Sequence, residues 1–138
     1  MDYEKSLQDV EKTLTDLIEE NQNVPIIVEG DKDIEALRKL GITGTIIRVH
    51  IGMSIADFCD MIAKKYRKII LLTDWDHKGG HLCYALKKNL ESRVKCNTRY
   101  RKIFAQITSI RTLESLPSWI TTVQNKIYLN RNHTFTSP

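Results

Sequence analysis

Apolar residues recur along this chain at two alternating periods, and the alternation predicts its fold class. In SLQDVEKTLTDLIEE, Leu7, Val10, Leu14, Leu17 and Ile18 fall at helical spacing between acids and lysines, which predicts an amphipathic helix over about residues 4–20. VPIIV, residues 24–28, is a β-branched run long enough for a strand and too short for a helix, with Pro25 tolerable near its start. DKDIEALRKLG then sets Ile34, Leu37 and Leu40 on one helical face and stops at Gly41. The pair repeats. TIIRV (45–49) reads as a strand, and SIADFCDMIAKKY as a helix N-capped by Ser54. KIILLTD (68–74) reads as a third strand, GGHLCYALKKNLES as a helix through Leu82, Leu86 and Leu90, and RVKC as a short last strand.

Strands that are continuous apolar runs, alternating with helices over short links, predict an α/β fold: a parallel sheet of about four strands, flanked by helices on both faces. Beyond residue 98 the alternation ceases. Tyr100, Ile103, Ile107 and Ile110 suggest one further helix with a basic start, and Leu116, Trp119, Ile120, Val123 and Ile127 another that Pro117 can open. Tyr100 and Trp119, at helical spacing, read as core rather than as base-stacking rings, and Cys59 and Cys83 as packing residues. LNRNHTFTSP has no periodicity and reads as a frayed end. The expected organisation is one domain over residues 1–138: an N-terminal helix, a core at about 24–97 and a C-terminal helical extension at about 98–130.

Charge adds an asymmetry to this picture. The formal net charge is +4, yet residues 1–92 hold 13 Lys+Arg against 16 Asp+Glu, whereas residues 93–138 hold 8 against Glu114 alone. A basic final third is a candidate phosphate-facing surface, with Arg99, Arg101 and Lys102 as candidate nucleic-acid contacts, and Lys78, beside the DxD stretch, is a further one. No apolar run approaches the roughly 20 residues that a membrane span needs, and the N-terminus lacks a signal-peptide pattern. Three cysteines without CxxC spacing fit reduced thiols, so the expected location is cytoplasmic, with no membrane partner.

The candidate chemistry lies where parallel sheets hold ligands, beyond the carboxyl ends of their strands. Those ends carry Glu29-Gly30, His50, and Asp74 with Asp76. On an extended strand, side chains two apart point the same way, so Asp74 and Asp76 are expected to share a cation while Trp75 points oppositely. Gly30 leaves room beside Glu29, and Gly79-Gly80 allow close backbone approach at a helix start. Mg²⁺ suits such a set, because it takes one or two carboxylates, keeps waters, and accepts substrate phosphate oxygens; Mn²⁺ is the natural substitute. His77 and His81 are read as polar residues at the helix start rather than as a zinc pair.

IIVEGDKDIEALRKLGI followed by KIILLTDWDHKGGHL resembles the Toprim domain, which is found in type IA topoisomerases, bacterial-type primases, the 5S ribosomal RNA maturase and small free-standing proteins of archaea and bacteria. The resemblance implies a Rossmann-like parallel sheet. It implies that Glu29 is the general acid or base of strand cleavage or joining, and that Glu29, Asp74 and Asp76 surround the metal. Gly30, Asp33 and Gly79 would support the site. The topoisomerase motif runs DxDREGE, whereas here His77, Lys78 and Gly80 replace its arginine and two glutamates, which removes an acid that a second metal would use. There is no room for a topoisomerase's tyrosine-bearing domain or a primase's zinc module, so neither activity is expected of this chain alone. A receiver domain and a haloacid-type phosphatase fit less well, since both need acids after the first strand.

The expected function is therefore Mg²⁺-dependent phosphodiester cleavage or transfer on RNA or DNA, resembling a nuclease. The alternative is a non-catalytic metal-dependent nucleic-acid-binding module or accessory subunit, with a protein partner supplying further domains.

Overall fold

The computed structural model describes residues 1–49 and 52–136. Four strands, β1 (Ile26–Val28), β2 (Ile46–Arg48), β3 (Lys68–Leu71) and β4 (Lys95–Asn97), form one parallel sheet in the order β2-β1-β3-β4. The helices are α1 (Tyr3–Asn21), α2 (Asp31–Lys39), α3 (Ile55–Lys65), α4 (His77–Leu90), α5 (Arg99–Ile107) and α6 (Leu116–Thr136). A 3₁₀ turn, Leu113–Ser115, leads into α6. None of the described helices is long and apolar enough to cross a membrane.

Period-two alternation divides the sheet between two cores. Ile26, Val28, Ile70 and Leu72 face one cluster, with Leu14 and Leu17 of α1, Leu37 of α2, Tyr100 and Phe104 of α5, and Trp119 and Val123 of α6. Ile27, Ile69 and Leu71 face the other, with Phe58 and Ile62 of α3 and Leu86 and Leu90 of α4. Both faces of the two central strands are covered, which is why β1 and residues 69–71 of β3 are uninterrupted apolar runs, while the edge strands β2 and β4 carry Arg48, Lys95 and Asn97. Asn21, buried at the end of α1, fastens this layer to the sheet: its amide donates to the Val24 and Thr45 carbonyls and its oxygen accepts from Gly44 N–H.

Two expectations need correction. The tail after Ile127 does not fray at once, because α6 runs on to Thr136 although its outer turns, with Tyr128 and Leu129 exposed, contribute little to the core. And β3 stops at Leu71 rather than at Asp74, so the two aspartates do not lie on a strand.

Candidate functional site

Parallel pairing of β1 with β3 brings the segments that follow them side by side. Val28 leads into Glu29 and then Gly30, whose extended backbone is the N-cap of α2. Asp33, on the first turn of α2, is buried and accepts from Gly30 N–H at 3.1 Å, the backward half of a capping box. Neither role is visible in EGDKD read alone.

Beyond β3 the pairing continues for one residue, with Leu72 N–H donating to the Ile27 carbonyl, and then the chain turns. Asp74 and Asp76 lie in that turn, so their proximity comes from the loop and not from strand alternation. Asp76 N-caps α4, its Oδ1 accepting from Gly79 N–H at 2.7 Å. Asp74 Oδ1 accepts from Leu113 N–H at 2.8 Å. Each carboxylate thus has one oxygen held by a backbone amide and keeps its other oxygen.

The loop is held from several sides. Thr73 Oγ1 donates to the Gly79 carbonyl at 2.8 Å, Trp75 N–H to the Arg111 carbonyl at 2.9 Å, and Trp75 Nε1 to the Ile110 carbonyl at 2.6 Å. Arg101 donates twice, from Nε and Nη2, to the Asp74 carbonyl at 3.1 and 2.9 Å. Gly79 fits beneath because it has no Cβ, which would overlap that same carbonyl oxygen. Sequence reasoning missed the contributions of residues 110–113, for which no motif signals a role.

The electrostatics are those of like charges held together. Glu29 is pushed up to about 7, first by burial, then by Asp74, Asp33 and Asp76. Asp33 is pushed up to about 6 by burial and by Asp74, partly opposed by the Gly30 amide. Asp74 is raised by burial, against the lowering effect of the Leu113 amide. Glu29 Oε1 is buried and has no protein donor, while the Glu29 carboxyl lies within hydrogen-bonding reach of Asp74. Two carboxylates at that range require a proton or a cation between them.

The orphaned Glu29 oxygen and the amide-anchored carboxylates of Asp74 and Asp76 are the donor type that a hydrated Mg²⁺, completed by water and phosphate, would use. They do not form a closed protein cage: among the described residues no three His, Cys, Asp or Glu side chains converge on one ion.

The expected nucleic-acid contacts divide. Lys78 is exposed on the first turn of α4. Arg99 is exposed, lies over the Tyr100 ring at 4.7 Å and donates to its hydroxyl. Lys102 is exposed and, among the described residues, has no ion-pair partner. Arg101 is turned inward to Asp74 and is only half-exposed. His77 and His81 meet edge to face at 4.9 Å, while His50 lies outside the described residues.

Comparison with known proteins agrees with this architecture. The chain is 51% identical over 99 residues to a UPF0292 protein of Thermoplasma volcanium, covering 71% of this chain and 83% of that protein. It is 37% identical over 121 residues to a UPF0292 protein of Methanocaldococcus jannaschii, covering 86% and 91%. A solved structure of a protein from Aquifex aeolicus superposes with a TM-score of 0.67 at 28% identity, over 76% of this chain and 95% of that one. The Toprim domain matches residues 24–107, from the entry of β1 through α5 and across both acidic strand ends, and the chain belongs to the Toprim domain family.

Proposed function

We propose that this protein cleaves or transfers phosphodiester bonds in nucleic acid with a hydrated Mg²⁺ held among Asp74, Asp76 and Glu29, not all three of which need ligate it at once, and completed by water and phosphate. The observation that carries the reading is the buried, donorless Oε1 of Glu29 beside Asp74, in a carboxyl group raised to about 7. A buried carboxyl with no protein donor is placed to hold or take up a proton, as a general acid or base must, and its pKa would come down from the metal-free value with Mg²⁺ bound. Bound Mg²⁺ would supply charge neutralisation at a phosphoryl oxygen. Glu29 would hold or release the proton at the attacking or leaving oxygen, Asp33 would fix the Gly30 backbone beside it, and the amide-held oxygens of Asp74 and Asp76 would keep their free oxygens aimed outward.

The alternative is a binding module that holds metal and phosphate without turnover. It is favoured by Gly80, which stands where the topoisomerase motif carries its last glutamate. One experiment decides between them: labelled RNA and DNA incubated with Mg²⁺, Mn²⁺ or EDTA, using wild type and Glu29→Gln. Metal-dependent cleavage that falls roughly 10²- to 10⁴-fold in Glu29→Gln, with nucleic-acid binding retained, supports the enzyme. Equal cleavage by both proteins removes Glu29 from the chemistry, and metal-dependent binding without cleavage supports the module.

A further inference from the structure

Three hollows lie along the surface from the acidic loop toward the opposite, amino edge of the sheet. The first is bounded by Asp76, His77, Gly80, His81 and Tyr84. The second, of about 430 Å³, runs between α4 and α5 and shares Gly80 and Tyr84 with the first. The third, of about 580 Å³, lies beside β4 and shares Thr98 and Lys102 with the second. Each adjoins the next, so together they form a track, called the groove below, from the Asp76 cap to the amino edge of the sheet, where Lys68 and Lys95 open β3 and β4.

Its charge changes along its length. Beyond Asp76 the walls present Lys87 and Lys102, then Lys68, Lys95 and Arg99. Among the described residues none of these four lysines has an ion-pair partner. The one acid in the far hollow, Glu20, is occupied by hydrogen bonds from the Asn97 amide and the Tyr100 hydroxyl. Thr98, the N-cap of α5, makes no side-chain capping bond, and the first N–H of that helix, at Arg99, is taken by Asn97 Oδ1 at 2.8 Å. Near the acidic end the lining changes from lysine to rings: Tyr84 is 66% exposed, beside the exposed imidazoles of His77 and His81. Lys88 donates to the Tyr84 hydroxyl at 3.3 Å and its ammonium lies over that ring at 5.6 Å from the centroid, so a base would stack on a ring that already carries a cation on one side.

We propose that this groove binds a single-stranded nucleic-acid segment, its phosphates along Lys68, Lys95, Lys102 and Lys87 and its bases against Tyr84 and the histidine pair. Unpaired cations tracking a cleft, joined to rings on which bases stack, are the combination that single strands require. A duplex carries its phosphates on a wide cylinder and bridges hollows of this size without entering them. Arg101 couples the two ends, because it lines the middle hollow and also holds the Asp74 carbonyl. The groove rests on the preceding functional reading only for where the strand leads; binding itself does not depend on it.

The test is fluorescence anisotropy in EDTA with a labelled single strand of roughly 12 nucleotides, within the site sizes such grooves cover, titrated at several salt concentrations. The variants are Lys68→Ala with Lys95→Ala, Lys87→Ala with Lys102→Ala, and, as a control, Lys64→Ala with Lys65→Ala on the exposed side of α3. Each groove pair should weaken binding about tenfold at low salt and lower the log–log salt slope by about 1.4, at about 0.7 per lost single-strand phosphate contact. The control pair should change affinity less than about twofold, the ordinary scale of a non-contacting surface change. Tyr84→Ala should weaken binding while Tyr84→Phe retains it.

Equal loss in the control pair overturns the groove, as does a wild type that binds duplex more tightly than single strand. A nucleoside monophosphate that binds the far hollow as tightly as the strand would assign it to a small ligand instead. Failure here is separable from failure of the catalytic reading. Groove variants that bind and cleave normally, beside an inactive Glu29→Gln, sink the groove alone; groove-dependent binding without cleavage sinks the enzyme alone.

Discussion

The acidic loop and the basic groove share a border at Asp76 and Arg101 and are built on opposite terms. Glu29, Asp33 and Asp74 are partly or wholly buried, lie close to one another, and are raised above the ordinary carboxylate range. They stay together because Leu113, Arg101, Trp75 and Gly79 fix the loop that carries Asp74 and Asp76. The cations, by contrast, stand in water and need no such support. Like charges buried together must be held by the fold at a cost in stability, whereas solvated ones are nearly free. Changes at the acidic loop should therefore move both stability and chemistry, and changes in the groove should move binding alone.

The largest effect expected is from Gly79→Ala. Its new Cβ meets backbone, the Asp74 carbonyl, which cannot move without releasing Arg101. A destabilisation of about 3 kcal/mol is expected, which lowers Tm by roughly 10 °C in a thermal melt. Gly80→Ala is the matched comparison, because its Cβ meets only the end of the Arg101 side chain at 3.4 Å. Equal losses in the two variants would show that the loop is not pinned as described.

A smaller effect is expected from pH. Glu29 and Asp33 have folded values raised to about 7 and about 6, above their ordinary 4.5 and 3.8. The folded protein prefers these groups protonated, so their stabilising contribution is complete below about pH 4 and is lost as pH rises through 6 and 7. Without metal, Tm should fall between pH 5 and 8, and Glu29→Gln should flatten that fall. Millimolar Mg²⁺, binding only the folded form, should also flatten it in wild type and do less in Glu29→Gln. A flat wild-type profile in EDTA would remove the mutual repulsion on which the contrast rests.

The smallest effect sharpens the other half of the comparison. Lys68→Ala with Lys95→Ala should leave stability within about 0.5 kcal/mol of wild type, as exposed substitutions without partners do. A clear loss of Tm in that variant would mean that the groove lysines support the fold and that any binding loss is indirect.

The alternation of apolar runs and amphipathic helices was enough to set the parallel sheet and its two covered faces, because strands such as IIV and IIL have no polar face to turn toward water. The spacing of Glu29-Gly30 and Asp74-x-Asp76-x-x-Gly79 likewise marked the acidic edge, since those residues follow directly on strands whose ends must adjoin. Helix ends were less legible. The periodicity of α6 fades after Ile127 while its backbone hydrogen bonding does not, so a pattern that reports burial ended before the helix did.

What the tertiary structure alone decided is the partner of each charge. Arg101 reads, in RYRK, as one of a row of phosphate-binding cations; packing of α5 against the loop turns it to a carbonyl 27 residues away. The amide of Leu113, 39 residues beyond Asp74, carries no side-chain signal at all. Lys68, Lys87, Lys95 and Lys102 come from four different elements and become one groove only when β3, β4, α4 and α5 are packed. Local sequence encodes which face of an element is buried, through a period set by backbone geometry. Which groups meet across elements depends on where those faces dock, and a charge on the exposed side has no period to record it.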